Sequence, residues 1–355
     1  MPELITQLAD DAIELLKHLI QTPSFSREEA GTAAILEKFL AQRGIPARRQ
    51  GNNVWAVSPQ WDATKPVILL NSHHDTVKPG TAWTYPPFGA TVEGDKLTGL
   101  GSNDAGAAAV SLLAVFRYFY NRPAPFNLIC AITAEEEISG TNGVKSILPE
   151  LGKIDLGIVG EPTGMHAAVA EKGLLVLDGV ARGRTGHAAR DEGDNALYKA
   201  LDDIAWLRGY QFPQVSALLG PVKMTVTQIS AGTQHNVVPD ECRYVIDVRT
   251  NECYTNEEIL TMVRANVQAE ITPRSTHLQS SGLPLTHPLV RKAVAMGKQT
   301  YGSPTLSDQA LMRFPTLKIG PGESTRSHTP DEYILLSEIR AGIADYIELL
   351  SGFIF

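Results

Sequence analysis

Histidine, aspartate and glutamate gather beside apolar runs at a few places in this 355-residue chain. His73-His74-Asp75 follows the run Val67 to Leu70, Glu135-Glu136-Glu137 follows Asn127 to Ile132, and Glu161 follows Ile154 to Val159. Asp104 ends Gly99-Leu100-Gly101-Ser102-Asn103-Asp104, just before a helix-like segment. A carboxylate at the end of a buried strand must be paired, hydrogen-bonded or bound to a cation to offset its lost hydration. Three consecutive glutamates also repel one another, and a nearby cation relieves that repulsion. Taken singly, each group has a plain explanation: a charged loop end for the triplet, an N-terminal helix cap for Asp104. Taken together they are nitrogen and oxygen donors without a thiolate, a set that suits zinc, with cobalt or manganese as alternatives.

The three apolar runs are short and continuous, as buried strands are, and helix-like segments such as Ala107 to Tyr120 lie between them. This is α/β alternation, in which ligands bind beyond the carboxyl ends of the strands, where the acidic and histidine groups stand. Before them, Ile5, Leu8, Ala12, Leu15, Leu16 and Leu19 have helical spacing up to the break at Thr22-Pro23-Ser24. Ala33, Leu36, Phe39 and Leu40 line a second helix that Gly44 is placed to end in a left-handed conformation.

From residue 166 to 277 the pattern changes. A strand-like run, Leu174 to Ala181, precedes a helix with Leu197, Leu201 and Ile204 on one side. Val222-Met224-Val226 and Cys242-Tyr244-Ile246-Val248 alternate with polar neighbours like half-buried antiparallel strands. A helix from Asn256 to about Ala269 and one more strand-like piece complete a β-α-β-β-α-β order, that of a small ferredoxin-like α+β domain. The expected division is a discontinuous catalytic domain, 1–165 and 278–355, interrupted by an inserted lid or dimerisation domain, 166–277. The catalytic part resumes through Leu289 to Met296, a strand Leu317 to Ile319, and a final helix carrying Ile339, Ile343, Tyr346, Ile347 and Leu350.

Composition narrows the classes of function. Apolar residues make up 43% of the chain, enough for a large core, and no run approaches the roughly 18 to 20 apolar residues of a membrane-spanning helix. With 31 basic and 39 acidic residues the net charge is −8, which argues against a nucleic-acid or anionic-membrane surface and for a small-molecule partner. Cys130, Cys242 and Cys253 are an odd number without close pairing, so a reducing compartment is expected. The acidic amino terminus lacks the pattern of a secretory signal, and the expectation is a cytoplasmic protein.

Five ordered motifs make the chain resemble the zinc-dependent deacylases and peptidases that include acetylornithine deacetylase, succinyl-diaminopimelate desuccinylase and glutamate carboxypeptidase. They are His73-His74-Asp75, Asp104, Thr133-Ala134-Glu135-Glu136-Glu137, Gly160-Glu161-Pro162-Thr163, and Gly320-Pro321-Gly322 through His328-Thr329-Pro330-Asp331-Glu332-Tyr333. The resemblance implies a mixed-sheet, di-zinc exopeptidase-like catalytic domain. It implies that Asp104 bridges two metal ions, one also held by His73 and Glu161 and the other by Glu137 and His328. Glu136 is then the general base, and Asp75 fixes the His73 ring. The implied reaction is hydrolysis of an N-acyl amino acid, with N-acetylornithine in arginine biosynthesis as the leading substrate. Alternatives are N-acetylcitrulline, N-succinylornithine, succinyl-diaminopimelate, a carrier-linked lysine or ornithine, and a dipeptide or carboxypeptidase substrate. A metal-free binding protein on the same fold would lack a ligand or the base, and none is missing.

In the insert, Gly183-Arg184-Thr185-Gly186-His187-Ala188 resembles the family segment whose His reaches the substrate carbonyl, often across a dimer interface, so His187 is a candidate oxyanion stabiliser. A surface or capping His is its alternative. Asn236, in the loop Ser230 to Pro239, is a candidate substrate contact. Arg249 matches an Arg that receives a substrate carboxylate, although a salt bridge with Asp247 explains it nearly as well. Gly322 is a candidate for close backbone approach to substrate, or simply a turn. His18, His74, His166, His277 and His287 are expected to be structural. The chain departs from the family where Ala105-Gly106-Ala107 follows Asp104 in place of a Lys-Gly-Gly segment, and where Glu135 replaces the more usual Asp.

Overall fold

The structure, a computed structural model, describes residues 2–355. By contact the chain forms two compact units. One is the segment ending at Val169 with Leu283–Tyr301 and Ser307–Phe355; the other is Ala170–Gly282 with Gly302–Leu306.

In the first unit, four parallel strands lie side by side in the order Asn127–Thr133, Val67–His73, Leu156–Val159 and Thr316–Lys318. Asn53–Val57 extends the sheet antiparallel to Asn127–Thr133, making it mixed. Val67–His73 and Asn127–Thr133 are buried along their whole length, as parallel strands covered on both faces must be. Alternate residues feed two cores. Ile68, Leu70, Leu128 and Ile132 join Leu16, Phe116 and Tyr346 from the helices Pro2–Ile20, Ala107–Phe119 and Leu336–Leu350. Val67, Leu69, Ile129 and Ala131 join Val144, Ile147 and Leu151 from the helix on the opposite face. The register pairs His73 with Thr133 and Asn71 with Val159, so the residues after all three strands emerge at one edge. Gly44 takes the expected left-handed conformation, φ +68°.

The second unit is a four-stranded antiparallel sheet ordered Lys223–Ala231, Glu241–Thr250, Gly173–Arg182, Glu270–Pro273. Leu175, Leu177, Tyr244, Ile246 and Val248 form its core with Ile259 and Val263 of the helix Asn256–Asn266. Gly179 permits the close approach of the Tyr244 ring, because a Cβ there would stand 2.6 Å from ring atoms. The helix Ala196–Gly209 departs from the sequence reading. Its buried positions are Ala196, Ala200, Asp203 and Leu207, while Leu201 is 48% exposed. The small alanines allow close packing, and the buried Asp203 accepts hydrogen bonds from Tyr244 Oη at 3.0 Å and from the amides of Gln268 at 2.7 Å and Ala269 at 3.0 Å. No helix among the described residues is long and apolar enough to cross a membrane.

Candidate active site

At the carboxyl edge of the parallel strands, His73 is buried with its Nε2 aimed into a ring of carboxylates. Asp104 Oδ1 lies 3.3 Å away, Glu136 Oε2 3.7 Å and Glu161 Oε1 3.8 Å, and Nε2 has no hydrogen-bond partner. Its other nitrogen, Nδ1, is 3.1 Å from the Asp75 carbonyl oxygen and 3.3 Å from Asp75 Oδ1. On the far side of Asp104, His328 Nε2 is 2.9 Å from Glu137 Oε2 and 3.6 Å from Asp104 Oδ2. Asp104 therefore stands between a His73 side and a His328 side. Two overlapping donor sets, His73-Glu136-Glu161 and His73-Asp104-Glu137, each have their ligand atoms within 4.8 Å of one another. A buried imidazole nitrogen left without a partner amid oxygen donors fits a divalent cation of the zinc type.

Asp75 does more than face His73. Its side chain accepts hydrogen bonds from the Glu136 amide at 3.0 Å, the Glu137 amide at 3.2 Å and the Ser26 hydroxyl at 2.8 Å. One buried carboxylate thus fixes the histidine and the short 3₁₀ turn Glu136–Ile138 together. Glu135, the first of the triplet, turns away from the donors. It adopts φ +56° and accepts from Asn142 Nδ2 at 2.9 Å, bracing the loop that follows.

The electrostatics follow from crowding anions in a buried place. Burial pushes Glu136 well above the usual carboxylate range, and the neighbouring Glu161, Asp308 and Glu137 charges add to the effect while His73 opposes it. Burial opposes the charged form of His73, but Glu136, Asp104, Asp75 and Glu161 outweigh it and raise its pKa. The hydrogen bond to Glu137 raises His328 to about 9. His74, next to these groups, behaves oppositely: burial lowers it to about 4, and it bonds Thr32 Oγ1 at 2.8 Å and the Asn52 carbonyl at 2.9 Å.

Three buried acids around the site are missed by sequence reasoning. Glu332 lies inside a quoted motif, yet nothing in its spacing gives it a task; it accepts three backbone N–H groups of the segment 101–104. Burial, with Asp104 adding, pushes it up to about 7. Asp308 accepts the Thr133 hydroxyl at 2.8 Å, and burial raises it to about 6. Glu29 accepts from the Glu135 amide at 3.2 Å and from Asn52 Nδ2 at 2.7 Å. None stands at the end of an apolar run, and only the folded contacts distinguish it from a surface residue.

The remaining candidates are placed as follows. Gly322 is buried at φ +89°, and a Cβ there would run into Asn103 Oδ1, so packing of the 320s loop requires the glycine. In the second unit, His187 is exposed and its loop pairs with that of Asn236: His187 bridges Val237, and the Ala188 amide donates to the Asn236 carbonyl at 3.0 Å. Arg249 grips Asp247 through Nε at 2.9 Å and Nη2 at 3.1 Å, the salt-bridge alternative.

The sequence matches Peptidase family M20/M25/M40 over residues 69–351. Succinyl-diaminopimelate desuccinylase of Halorhodospira halophila (strain DSM 244 / SL1) is 26% identical over 370 residues, covering 95% of this chain and 97% of the relative. That of Dinoroseobacter shibae (strain DSM 16493 / NCIMB 14021 / DFL 12) is 29% identical over 281 residues, 74% of this chain and 73% of the relative. The fold is similar to the aminopeptidase PepT of Bacillus cereus ATCC 10987, with a TM-score of 0.78 at 18% identity, covering 96% of this chain and 98% of that one. It is also similar to the Bacillus subtilis YXEP protein, a dinuclear metal binding peptidase, with a TM-score of 0.73 at 16% identity, covering 97% and 98%. With the match running from the first parallel strand to the last helix, this chain belongs to Peptidase family M20/M25/M40 and is a metallohydrolase that acts on an amide bond.

Proposed function

We propose that the enzyme hydrolyses an N-acyl amino acid, with N-succinyl substrates of the succinyl-diaminopimelate type ahead of N-acetylornithine. The relatives' names favour the succinyl compound. The observation that carries the reading is the buried His73 Nε2 facing Asp104, Glu136 and Glu161, with His328 and Glu137 across Asp104.

In this reading two divalent cations would be held by Asp104, with His73 and Glu161 on one side of it and Glu137 and His328 on the other. Bound there, zinc, or cobalt or manganese in its place, supplies Lewis acidity that polarises the amide carbonyl and eases deprotonation of water. Glu136 takes a proton from the attacking water as its oxygen bonds the carbonyl carbon. It then passes that proton to the nitrogen as the C–N bond breaks, leaving a carboxylate and an amine. Asp75 holds the His73 ring and the Glu136-Glu137 amides in place. His187 is the candidate to stabilise the carbonyl oxygen as it gains charge and Asn236 the candidate substrate contact, whereas Arg249 is held by Asp247 and Gly322 is packed against Asn103.

The cysteines are free, consistent with a cytoplasmic location that cell fractionation would check. A homodimer is part of the proposal. The strand Lys223–Ala231 is at a sheet edge with Ile229 49% exposed, and the helix packed beside it exposes Tyr198 and Leu201. The function is tested by offering N-acetyl and N-succinyl amino acids and dipeptides to the enzyme with added zinc or cobalt. Fastest turnover of an N-succinyl diamino acid supports the reading; turnover of dipeptides alone contradicts it.

A further inference from the structure

Glu332 is 2% exposed; its carboxylate lies within electrostatic reach of His328, and its hydrogen bonds run to backbone amides. Its partners are three amides of one loop. Gly101 N–H donates to Oε2 at 3.0 Å, and Asn103 and Asp104 N–H donate to Oε1 at 2.8 Å each. Backbone pairing delivers it there. Tyr333–Leu335 runs antiparallel to Lys96–Thr98, and the Gly99 amide donates to the Glu332 carbonyl at 2.9 Å. The loop it holds is not self-supporting: Gly101 is at φ +75°, and Asp104 has non-helical angles of φ −112°, ψ 101°.

A second clip runs the other way. The buried Asn103 side chain accepts from the Glu323 amide at 3.0 Å, donates to the Glu323 carbonyl at 3.1 Å and reaches Ser327 Oγ at 3.4 Å. Ser327 also hydrogen-bonds Asp104, and His328 is the next residue. The segments 101–104 and 323–332 are therefore locked to each other through side chains that touch neither His73 nor Glu161. On the His73 side, the other donors, His73 and Glu161, come from strand ends. On the His328 side, the spacing between His328 and Asp104 depends on this lock.

We propose that Glu332, with Asn103, is a positioning residue that sets Asp104 against His328 and so builds the second cation site. This rests on the two-cation reading above. Glu332→Gln keeps the shape but turns an amide NH₂ toward the Gly101 N–H, donor against donor. The test titrates metal-free protein with cobalt(II), followed by visible absorption and calorimetry, with near-UV circular dichroism as a check on folding. Wild type takes up two ions. Glu332→Gln should bind the first like wild type and the second roughly tenfold to 100-fold more weakly. Asp155→Asn, which removes a carboxylate charge at a Val67 amide contact away from the site, should bind both normally. Unchanged affinity for both ions in Glu332→Gln overturns the proposal. If that variant does not fold, Asn103→Ser replaces it: selective weakening supports the proposal, and two normal sites overturn it. A wild-type chain that takes up fewer than two ions overturns the two-cation reading itself.

Discussion

Glu136 and Glu137 are neighbours of one chemical type, yet their surroundings divide their work. Glu137 is paired with His328, whereas Glu136 is buried among anions and holds protons more readily than an ordinary carboxylate. Glu136→Gln should therefore keep its metal content while turnover falls by about 10² to 10⁴-fold; metal analysis beside steady-state rates checks this, and loss of metal would instead make Glu136 a ligand. His74 permits a prediction about pH. Its folded pKa, about 4, lies below that of an unfolded histidine, so the unfolded chain binds the proton first as pH drops. The stability from keeping it neutral, of the order of 3 kcal/mol, is present above pH about 6.5 and is lost between 6.5 and 4. Urea unfolding across that window should show a smaller drop in His74→Asn than in wild type. At this scale His73, Glu137 and Glu161 were legible because each stands just after a buried apolar run; Asp104 was marked by its place before a helix-like segment and His328 by the family resemblance alone. Glu332, Asp308 and Glu29 were not, because nothing beside them in sequence shows that a distant amide or hydroxyl will meet them.

The covered α/β sheet was legible for a related reason, whereas its strand order was not. Fully apolar runs of four to seven residues between helical segments leave few options except a covered parallel sheet, and its register then aligns His73 with Thr133. The helix Ala196–Gly209 was less legible, since its largest apolar residue on one side, Leu201, is exposed while Asp203 is inside. Apolar periodicity counts Asp203 as an outward position, but the end of the helix Asn256–Asn266 supplies it with amide partners two residues on. Asp203→Ala would leave the Tyr244 hydroxyl, the buried Ala269 amide and the partly buried Gln268 amide unpaired and should cost about 3 to 5 kcal/mol. Calorimetry of the variant checks this; a loss below about 1 kcal/mol would mean that water replaces the carboxylate.

For the whole molecule, the discontinuous arrangement lets one unit carry the donors from five separated stretches of sequence while the other presents His187 and Asn236 on paired loops. If the edge strand Lys223–Ala231 joins its copy, light scattering gives twice the chain mass, and Ile229→Lys shifts it toward one; a wild-type monomer removes the dimer from the account. In the proposed function His73, Asp104, Glu137, Glu161 and His328 hold two cations. Anomalous diffraction at the zinc edge from zinc-loaded crystals tests it most directly. Two peaks are predicted, one touching His73, Asp104 and Glu161 and the other Asp104, Glu137 and His328. No peak among these residues, or a single fully occupied peak that leaves His328 untouched, would contradict it.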